Sequence, residues 1–154
     1  MATTGNAARV CHVMVVDDEE QIDEYIQEVL RKRGYSSASF RDPLRALDYF
    51  IENAEKVDLV VSDIVMPEMD GIQLARRVAE IRENIPIILL SGYSDRLVDG
   101  LSLPNVKALL DKPVLKIDLV QAVEGAIQSR GHRKEANNIE VAGLQTRQNS
   151  RPKG

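Results

Sequence analysis

The 154-residue sequence has little of what several classes of protein require. It contains one cysteine, Cys11, so it can form neither an intrachain disulfide nor a thiolate metal cluster. Its two histidines, His12 and His132, give little basis for a zinc site or a histidine-based catalytic triad. The glycine-rich loops that cradle nucleotide phosphates, GxGxxG and GxxxxGK, are also missing. We therefore expect any chemistry to come from carboxylates, hydroxyls and lysine.

Long apolar runs are equally scarce. Runs such as residues 87–90 fall far short of the ~20 apolar residues that a membrane span needs. The first ten residues contain one arginine and no apolar core, so they do not resemble a secretory signal, and we expect a cytoplasmic protein. The formal net charge is −4, and residues 132–154 are basic, which leaves an acidic body. Since nucleic acid is bound by clustered basic faces, we expect neither a nucleic-acid nor a membrane partner.

Five apolar segments predict five β-strands. Four of them do not alternate with polar residues, which indicates strands covered on both faces. These four lie at residues 13–16, 59–61, 85–90 and 106–110. A weaker segment, residues 35–40, alternates small polar with apolar residues and is typical of an edge strand.

Segments with helical periodicity separate the strands. The first helix is expected to end near Gly34, a suitable left-handed C-cap, and the second to begin at the N-cap Asp42 followed by Pro43. The other three helices are predicted at residues 72–82, 94–99 and 116–130, the last ended by Gly131. Alternating strands and helices with right-handed crossovers predict an α/β fold: a flavodoxin-like, doubly wound, five-stranded parallel sheet with five helices, (βα)5.

We divide the chain into a flexible N-terminus at residues 1–11, a domain at 12–131 and a polar, disordered tail at 132–154. The segment after Arg130 is too short and too polar for a helix-turn-helix unit. We therefore expect either a domain that acts alone through protein contacts or a part of a longer protein.

Polar residues follow four of the predicted strands at their carboxyl ends, where open parallel sheets bind ligands. These residues are Asp17 and Asp18, then Asp63, then Ser91, and finally Lys112. Three neighbouring carboxylates repel one another and favour a bound cation, and oxygen ligands beside a phosphate suit Mg²⁺. A carboxylate that attacks phosphorus becomes an acyl phosphate. The set therefore predicts one phosphorylation site that uses Mg²⁺.

These residues, with SDIVMPEMDG around Asp63 and proline after Lys112, resemble the receiver domain of bacterial two-component response regulators. The resemblance covers residues 12–131, with the motifs in order. It implies that Asp63 takes a phosphoryl group from a sensor histidine kinase or a phosphotransfer protein and signals to a downstream protein. Such a protein is no enzyme beyond its own phosphorylation and dephosphorylation, and a homodimer is one assembly that the resemblance leaves open.

The resemblance also implies a role for each site residue. The Mg²⁺ ligands would be the side chains of Asp17, Asp18 and Asp63 and the backbone carbonyl of Val65. Ser91 resembles the hydroxyl that bonds the phosphoryl group, and Lys112 resembles the lysine that pairs with it. The family often has a cis peptide at the position of Lys112–Pro113.

Other residues around the site receive structural interpretations. Glu19 and Glu20 are interpreted as first-turn acids that complement a helix dipole. Asp70 is expected to serve its turn, and Gly71 to supply a permissive backbone there.

One position departs from the receiver pattern in a way that concerns the switch. Leu109 stands where receivers usually carry the Tyr or Phe that moves when the hydroxyl is drawn to the phosphate. Leucine is smaller and apolar, so we expect it to favour burial in both states and to contribute little differential energy. The switch is then expected to run through the loop that contains Tyr93, or through the Lys112 loop. Val114, where the family often has Phe, is a smaller departure.

Two other functions use similar residues. A haloacid-dehalogenase-like phosphohydrolase also combines Asp, a hydroxyl, Lys and Mg²⁺, but it needs a DxD motif where this sequence has DDEE. A receiver-like scaffold that is never phosphorylated would be expected to lack part of the acidic set.

Overall fold

The computed structural model describes residues 10–92 and 103–139, with side chains up to residue 128. The strands are β1 His12–Val16, β2 Ser36–Phe40, β3 Leu59–Asp63, β4 Ile87–Ser91 and β5 Val106–Asp111. They form one parallel sheet in the order β2-β1-β3-β4-β5. The helices in this part of the chain are α1 Glu20–Lys32, α2 Pro43–Asn53, α3 Gly71–Ile81 and α4 Lys116–Ile139. The parallel five-stranded sheet is confirmed, and the helix predicted at residues 94–99 lies outside the described residues.

The side chains of β1 show how the sheet divides two hydrophobic cores. Val13 and Val15 belong to a core completed by residues of α1 and α4. Met14 and Val16 point to the other face, where residues of α2 and α3 pack. Successive side chains of a strand point to opposite faces, so helices on both faces require apolar residues at every position. The buried runs of β1, β3 and β4 follow from this arrangement.

Two predicted helix boundaries are confirmed. Gly34 adopts φ +88° just after α1, and the amide of Tyr35 donates to the carbonyl of Leu30, which closes the helix end. At the start of α2 the carboxylate of Asp42 accepts a hydrogen bond of 2.9 Å from the amide of Leu44. The intervening Pro43 occupies the first helical position, where its missing N–H costs nothing.

The last strand differs from the prediction that both its faces are covered. Side chains along β5 alternate, and Lys107, Leu109 and Asp111 are exposed. β5 is an edge strand, and α4 packs against one of its faces, where Ala108 and Leu110 contact the core. Leu109 is 45% exposed, so the expectation that it is buried is wrong for this state.

The last helix also runs further than predicted. α4 continues through Gly131 to Ile139, so the prediction that Gly131 ends it is wrong. A glycine inside a helix costs about 1 kcal/mol relative to alanine, which weakens a helix without necessarily ending it. Within residues 10–92 and 103–139, no helix has both the length and the apolar content to cross a membrane.

Candidate functional site

Three aspartates meet at the carboxyl edge of the sheet. Asp17 and Asp18 directly follow β1, and Asp63 is the last residue of β3, which pairs with β1 in parallel register. One carboxylate oxygen from each lies within 4.8 Å of the other two. Asp17 and Asp63 are buried, whereas Asp18 is exposed. The structure thus brings together the three acids that the sequence places at strand ends.

Asp17 carries an unsatisfied buried oxygen. The backbone amide of Glu19 donates to its Oδ1 at 2.8 Å, but Oδ2 accepts no hydrogen bond in the described part of the chain. Burial, together with the charges of Asp63 and Glu19, raises the pKa of Asp17 to about 6, although the hydrogen bond from the Glu19 amide and the charge of Lys112 oppose the rise. A buried carboxylate oxygen without a donor is suited to a cation.

Lys112 lies against these acids. Its Nζ is 2.9 Å from Asp63 Oδ2 and 3.7 Å from Asp17 Oδ2. Burial raises the pKa of Asp63 even though the hydrogen bond from Lys112 opposes the rise. Burial by itself would lower the pKa of Lys112, but the hydrogen bond to Asp63 and the charges of Asp17, Asp63 and Glu19 raise it. The lysine is therefore held as a cation beside Asp63.

The end of β4 positions both Ser91 and Lys112. Ser91 is the last residue of β4 and is buried, and its carbonyl accepts a hydrogen bond of 2.9 Å from the amide of Lys112. The hydroxyl of Ser91 donates to the carbonyl of Gly92 at 3.2 Å. The peptide bond Lys112–Pro113 is cis, as the resemblance implies.

The loop after Asp63 returns directly onto the acidic site. Val65 lies in this loop, two residues beyond Asp63, with its side chain 60% exposed. The amide of Gly71 donates to the carbonyl of Ile64 at 2.8 Å. A Cβ atom on Gly71 would overlap the carbonyl oxygen of Asp63 and lie 2.9 Å from Ile64 Cα. Gly71 does not have positive φ, so the expected permissive backbone is wrong, and the position requires glycine because of space.

Asp70 caps α3. Its carboxylate accepts from the amide of Gln73 at 2.8 Å, and the side chain of Gln73 accepts from the amide of Asp70 at 2.9 Å. This capping box fixes the start of α3 and so holds Gly71, the first helical residue, against Asp63.

Sequence reasoning missed a contact of Glu19. This residue is the N-cap of α1, but its carboxylate makes no capping hydrogen bond and lies 3.6 Å from Lys112 Nζ. Glu20 is in the first turn, as predicted, and its carboxylate lies 3.6 Å from Arg41. A glutamate directly after Asp17 and Asp18 necessarily lies near the carboxyl edge of the sheet, which is the open rim of the site. Its position in the sequence was therefore the signal from which a contact with Lys112 could have been predicted.

The donor set fits Mg²⁺. Carboxylate oxygens from three residues lie within reach of one another, and one of them is a buried oxygen without a hydrogen-bond donor. Mg²⁺ prefers hard oxygen ligands and keeps several waters, so a few protein groups at an open rim are sufficient.

Comparisons with known proteins agree with this geometry. Residues 13–124 match the family model described as the response regulator receiver domain. The response regulator receiver protein CpdR of Brucella abortus is 33% identical over 113 residues, which cover 73% of this chain and 92% of that protein. The crystal structure of a response regulator receiver domain protein from Clostridium thermocellum aligns with a TM-score of 0.75 at 28% identity, covering 79% of this chain and 98% of that one.

Longer proteins match through the same segment. The transcriptional regulatory protein GlrR of Escherichia coli is 34% identical over 122 residues, which cover 76% of this chain but 26% of that protein. This chain therefore spans about a quarter of the length of that regulator. The matched segment contains every carboxylate of the site together with Ser91 and Lys112, which favours a receiver over a phosphohydrolase. On this evidence the chain belongs to the receiver domain family of two-component response regulators.

Proposed function

We propose that Asp63 accepts a phosphoryl group from the phosphohistidine of a sensor kinase or phosphotransfer protein. The observation that carries this proposal is the pairing of Asp63 Oδ2 with Lys112 Nζ at 2.9 Å beside the unsatisfied oxygen of Asp17. A nucleophilic carboxylate must be ionised, and a lysine held as a cation favours the ionised form. Asp63 is 4% exposed, so a donor reaches it through the open rim, where Asp18 is exposed.

The transfer itself is a displacement at phosphorus. An oxygen of Asp63 forms the new O–P bond while the P–N bond to the donor histidine breaks, and the imidazole leaves with the electron pair. Mg²⁺ held by Asp17, Asp18, Asp63 and the backbone carbonyl of Val65 would neutralise charge on the transferring group. The product is an acyl phosphate on Asp63.

Lys112 and Ser91 then hold the new group. Lys112 exchanges its ion pair with Asp63 for one with a phosphoryl oxygen, because the bonded carboxylate has lost its charge. The hydroxyl of Ser91 exchanges the carbonyl of Gly92 for a second phosphoryl oxygen. This exchange changes the hydrogen-bond partner of Ser91 at the end of β4 and is the proposed start of the switch.

The proposal also covers the extent of the domain, its location in the cell and the way in which it signals. The receiver is proposed to occupy residues 12–131 and to act in the cytoplasm. It signals through contact with a downstream protein and not through nucleic acid bound by this chain.

The test is intact-protein mass spectrometry after incubation with acetyl phosphate and Mg²⁺. Wild type should gain one phosphoryl group, and Asp63→Asn should gain none. The matched control is Asp58→Asn, since Asp58 is equally buried but lies at the opposite end of the sheet. This control should label like wild type once circular dichroism shows that it is folded.

Three outcomes would contradict the proposal. Label that persists in Asp63→Asn and maps to Ser91 would identify a different nucleophile. Steady release of nitrophenol from a nitrophenyl phosphate ester would indicate a phosphohydrolase. A wild-type chain that stays unlabelled with every donor would indicate a scaffold.

A further inference from the structure

Glu19 contacts the lysine of the site from its solvent side. Lys112 Nζ lies 2.9 Å from Asp63 Oδ2, 3.6 Å from Glu19 Oε1 and 3.7 Å from Asp17 Oδ2. One ammonium group is therefore shared by three carboxylates. The Glu19 side chain is 59% exposed, whereas Asp17 and Asp63 are buried. Glu19 is thus the member of this trio that an incoming phosphodonor meets first.

The side chain of Glu19 acts separately from its backbone. The backbone amide of Glu19 holds Asp17 Oδ1 at 2.8 Å, and its carbonyl accepts from the amide of Asp23 at 3.0 Å. Both bonds survive a change of side chain. The carboxylate makes no hydrogen bond to the end of α1, so its contact with Lys112 can be removed without removing a helix cap.

We propose that Glu19 is a positioning residue that draws Lys112 toward the rim and makes the site select phosphodonors of lower negative charge. The proposal rests on phosphorylation of Asp63. Phosphoryl oxygens must compete with Glu19 for the ammonium group, and the Glu19 charge repels the donor. Coulomb energy scales with the product of the charges, so a dianionic donor is disfavoured more than a monoanionic one.

Two small phosphodonors differ in their negative charge but deliver the same phosphoryl group. With acetyl phosphate, which carries two negative charges, Asp63 forms the O–P bond and acetate leaves with the electron pair of the broken P–O bond. With phosphoramidate, which carries a net single negative charge, the P–N bond breaks and ammonia leaves. Asp63 gains one phosphoryl group in both reactions, so the ratio of the two rates reports discrimination by donor charge.

The experiment compares wild type, Glu19→Gln and Glu20→Gln at saturating Mg²⁺. Glu20 is a matched control because its side chain is 58% exposed and pairs with Arg41 instead of Lys112, while the charge change is identical. Glu19→Gln should raise the acetyl phosphate rate about two- to fivefold, the range expected for an exposed pair, with a smaller change for phosphoramidate. The rate ratio of Glu20→Gln should stay at the wild-type value, and the Glu19 effect should shrink at high salt.

Three results would overturn the role of Glu19. Glu19→Gln could accelerate labelling equally with both donors, or it could leave both rates unchanged. The third result is the same change in the ratio of the two rates in Glu19→Gln and Glu20→Gln. Failure of the proposed function gives a different result, since wild-type Asp63 would then take no label from either donor. A structural effect of the substitution would alter both rates together and leave their ratio unchanged.

Discussion

Both ends of the sheet bury an aspartate, with opposite consequences. At the carboxyl end Asp17 is 0% exposed, and its Oδ2 accepts no hydrogen bond within the described residues. At the amino end Asp58 is 1% exposed, and its carboxylate accepts from the amide of His12 at 2.8 Å, while its own amide donates to the carbonyl of His12 at 2.8 Å. A satisfied buried carboxylate joins two strands, whereas an unsatisfied one keeps capacity for a cation.

The amino end extends this satisfied arrangement into side chains. His12 Nδ1 lies 2.6 Å from the hydroxyl of Ser36, and Nε2 lies 2.8 Å from the hydroxyl of Tyr49. These bonds tie β1 to β2 and to α2. The carboxyl end instead crowds several acids around Lys112. We therefore expect substitutions at the amino end to lower stability, and those at the carboxyl end to alter phosphorylation.

The largest expected effect is that of a substitution at Gly71, which should change both the stability of the fold and the phosphorylation of Asp63. In Gly71→Ala the added Cβ would overlap the carbonyl oxygen of Asp63, so the loop must shift. We expect a loss of about 3 kcal/mol in the free energy of unfolding, at the upper end for overpacking, and slower labelling of Asp63. Urea unfolding measures the first effect, and acetyl phosphate labelling measures the second.

Gly125 supplies the control for this substitution. It lies in α4, and a Cβ there would meet nothing within 4 Å. Gly125→Ala should stabilise the protein by about 0.5–1 kcal/mol, because alanine loses less backbone entropy in a helix. A similar, small effect at both glycines would show that the loop after Asp63 is not held by close packing.

The second prediction compares the two buried aspartates directly. Asp17→Asn should stabilise the metal-free protein by about 1–2 kcal/mol, because it removes a buried charge among like charges. Asp58→Asn should destabilise it by about 1 kcal/mol, because an amide oxygen is a weaker acceptor than a carboxylate. Urea unfolding in EDTA measures both changes. If the two substitutions changed the free energy of unfolding in the same direction, the contrast between the two ends would be wrong.

Added Mg²⁺ should narrow the difference in unfolding free energy between wild type and Asp17→Asn. Wild type should gain about 1 kcal/mol at a concentration several times the dissociation constant, and Asp17→Asn should gain much less. Asp58→Asn should gain as much as wild type. A wild-type melting temperature that is unchanged across a wide Mg²⁺ range would contradict the metal site.

The arrangement at the carboxyl end of the sheet could largely be predicted from the sequence. Asp17, Asp63 and Lys112 each directly follow a predicted strand or end one, and strand ends of a parallel sheet meet at one edge. The pattern therefore places these residues together without any knowledge of side-chain geometry. The sheet and its buried strands followed from the apolar runs in the same way.

The remaining features of the site depend on distances between residues that are far apart in the sequence, and the periodicity of the sequence does not give these distances. The contact of Glu19 with Lys112 joins residues far apart in sequence, and a first-turn glutamate has an ordinary interpretation without it. The exposure of Leu109 follows from the edge position of β5, which strand order decides. The need for glycine at position 71 comes from close approach to Asp63, and local sequence suggests only a turn.

The third prediction concerns pH. Burial raises the pKa of Asp17 from 3.8 to about 6 and raises that of Asp63 in the same direction. Between pH 3.8 and about 6 the folded state then binds more protons at Asp17 than the unfolded state does. The stability that Asp17 contributes is therefore full below pH 3.8 and is lost as the pH rises through about 6, and Asp63 acts in the same direction.

The size of this loss should be about 1–2 kcal/mol, since water at the open rim reduces the roughly 3 kcal/mol that the full shift represents. Urea unfolding of the metal-free protein between pH 4 and about 7 measures it. Asp17→Asn should have a flatter profile than wild type, and parallel profiles for the two proteins would contradict the raised pKa of Asp17.

The last prediction concerns a single hydrogen bond at the amino end and tests whether that end has only a structural role. Tyr49→Phe removes the hydroxyl that contacts His12 Nε2 and keeps the ring, which lies 5.0 Å from that of Phe40. We expect a loss of about 1 kcal/mol in the free energy of unfolding, the usual net value of one hydrogen bond. The rate of Asp63 labelling should stay at the wild-type value, because the change lies at the end of the sheet opposite Asp17. A labelling rate that fell in step with stability would show that the two ends are coupled through β1, and the division between a structural end and a chemical end would then fail.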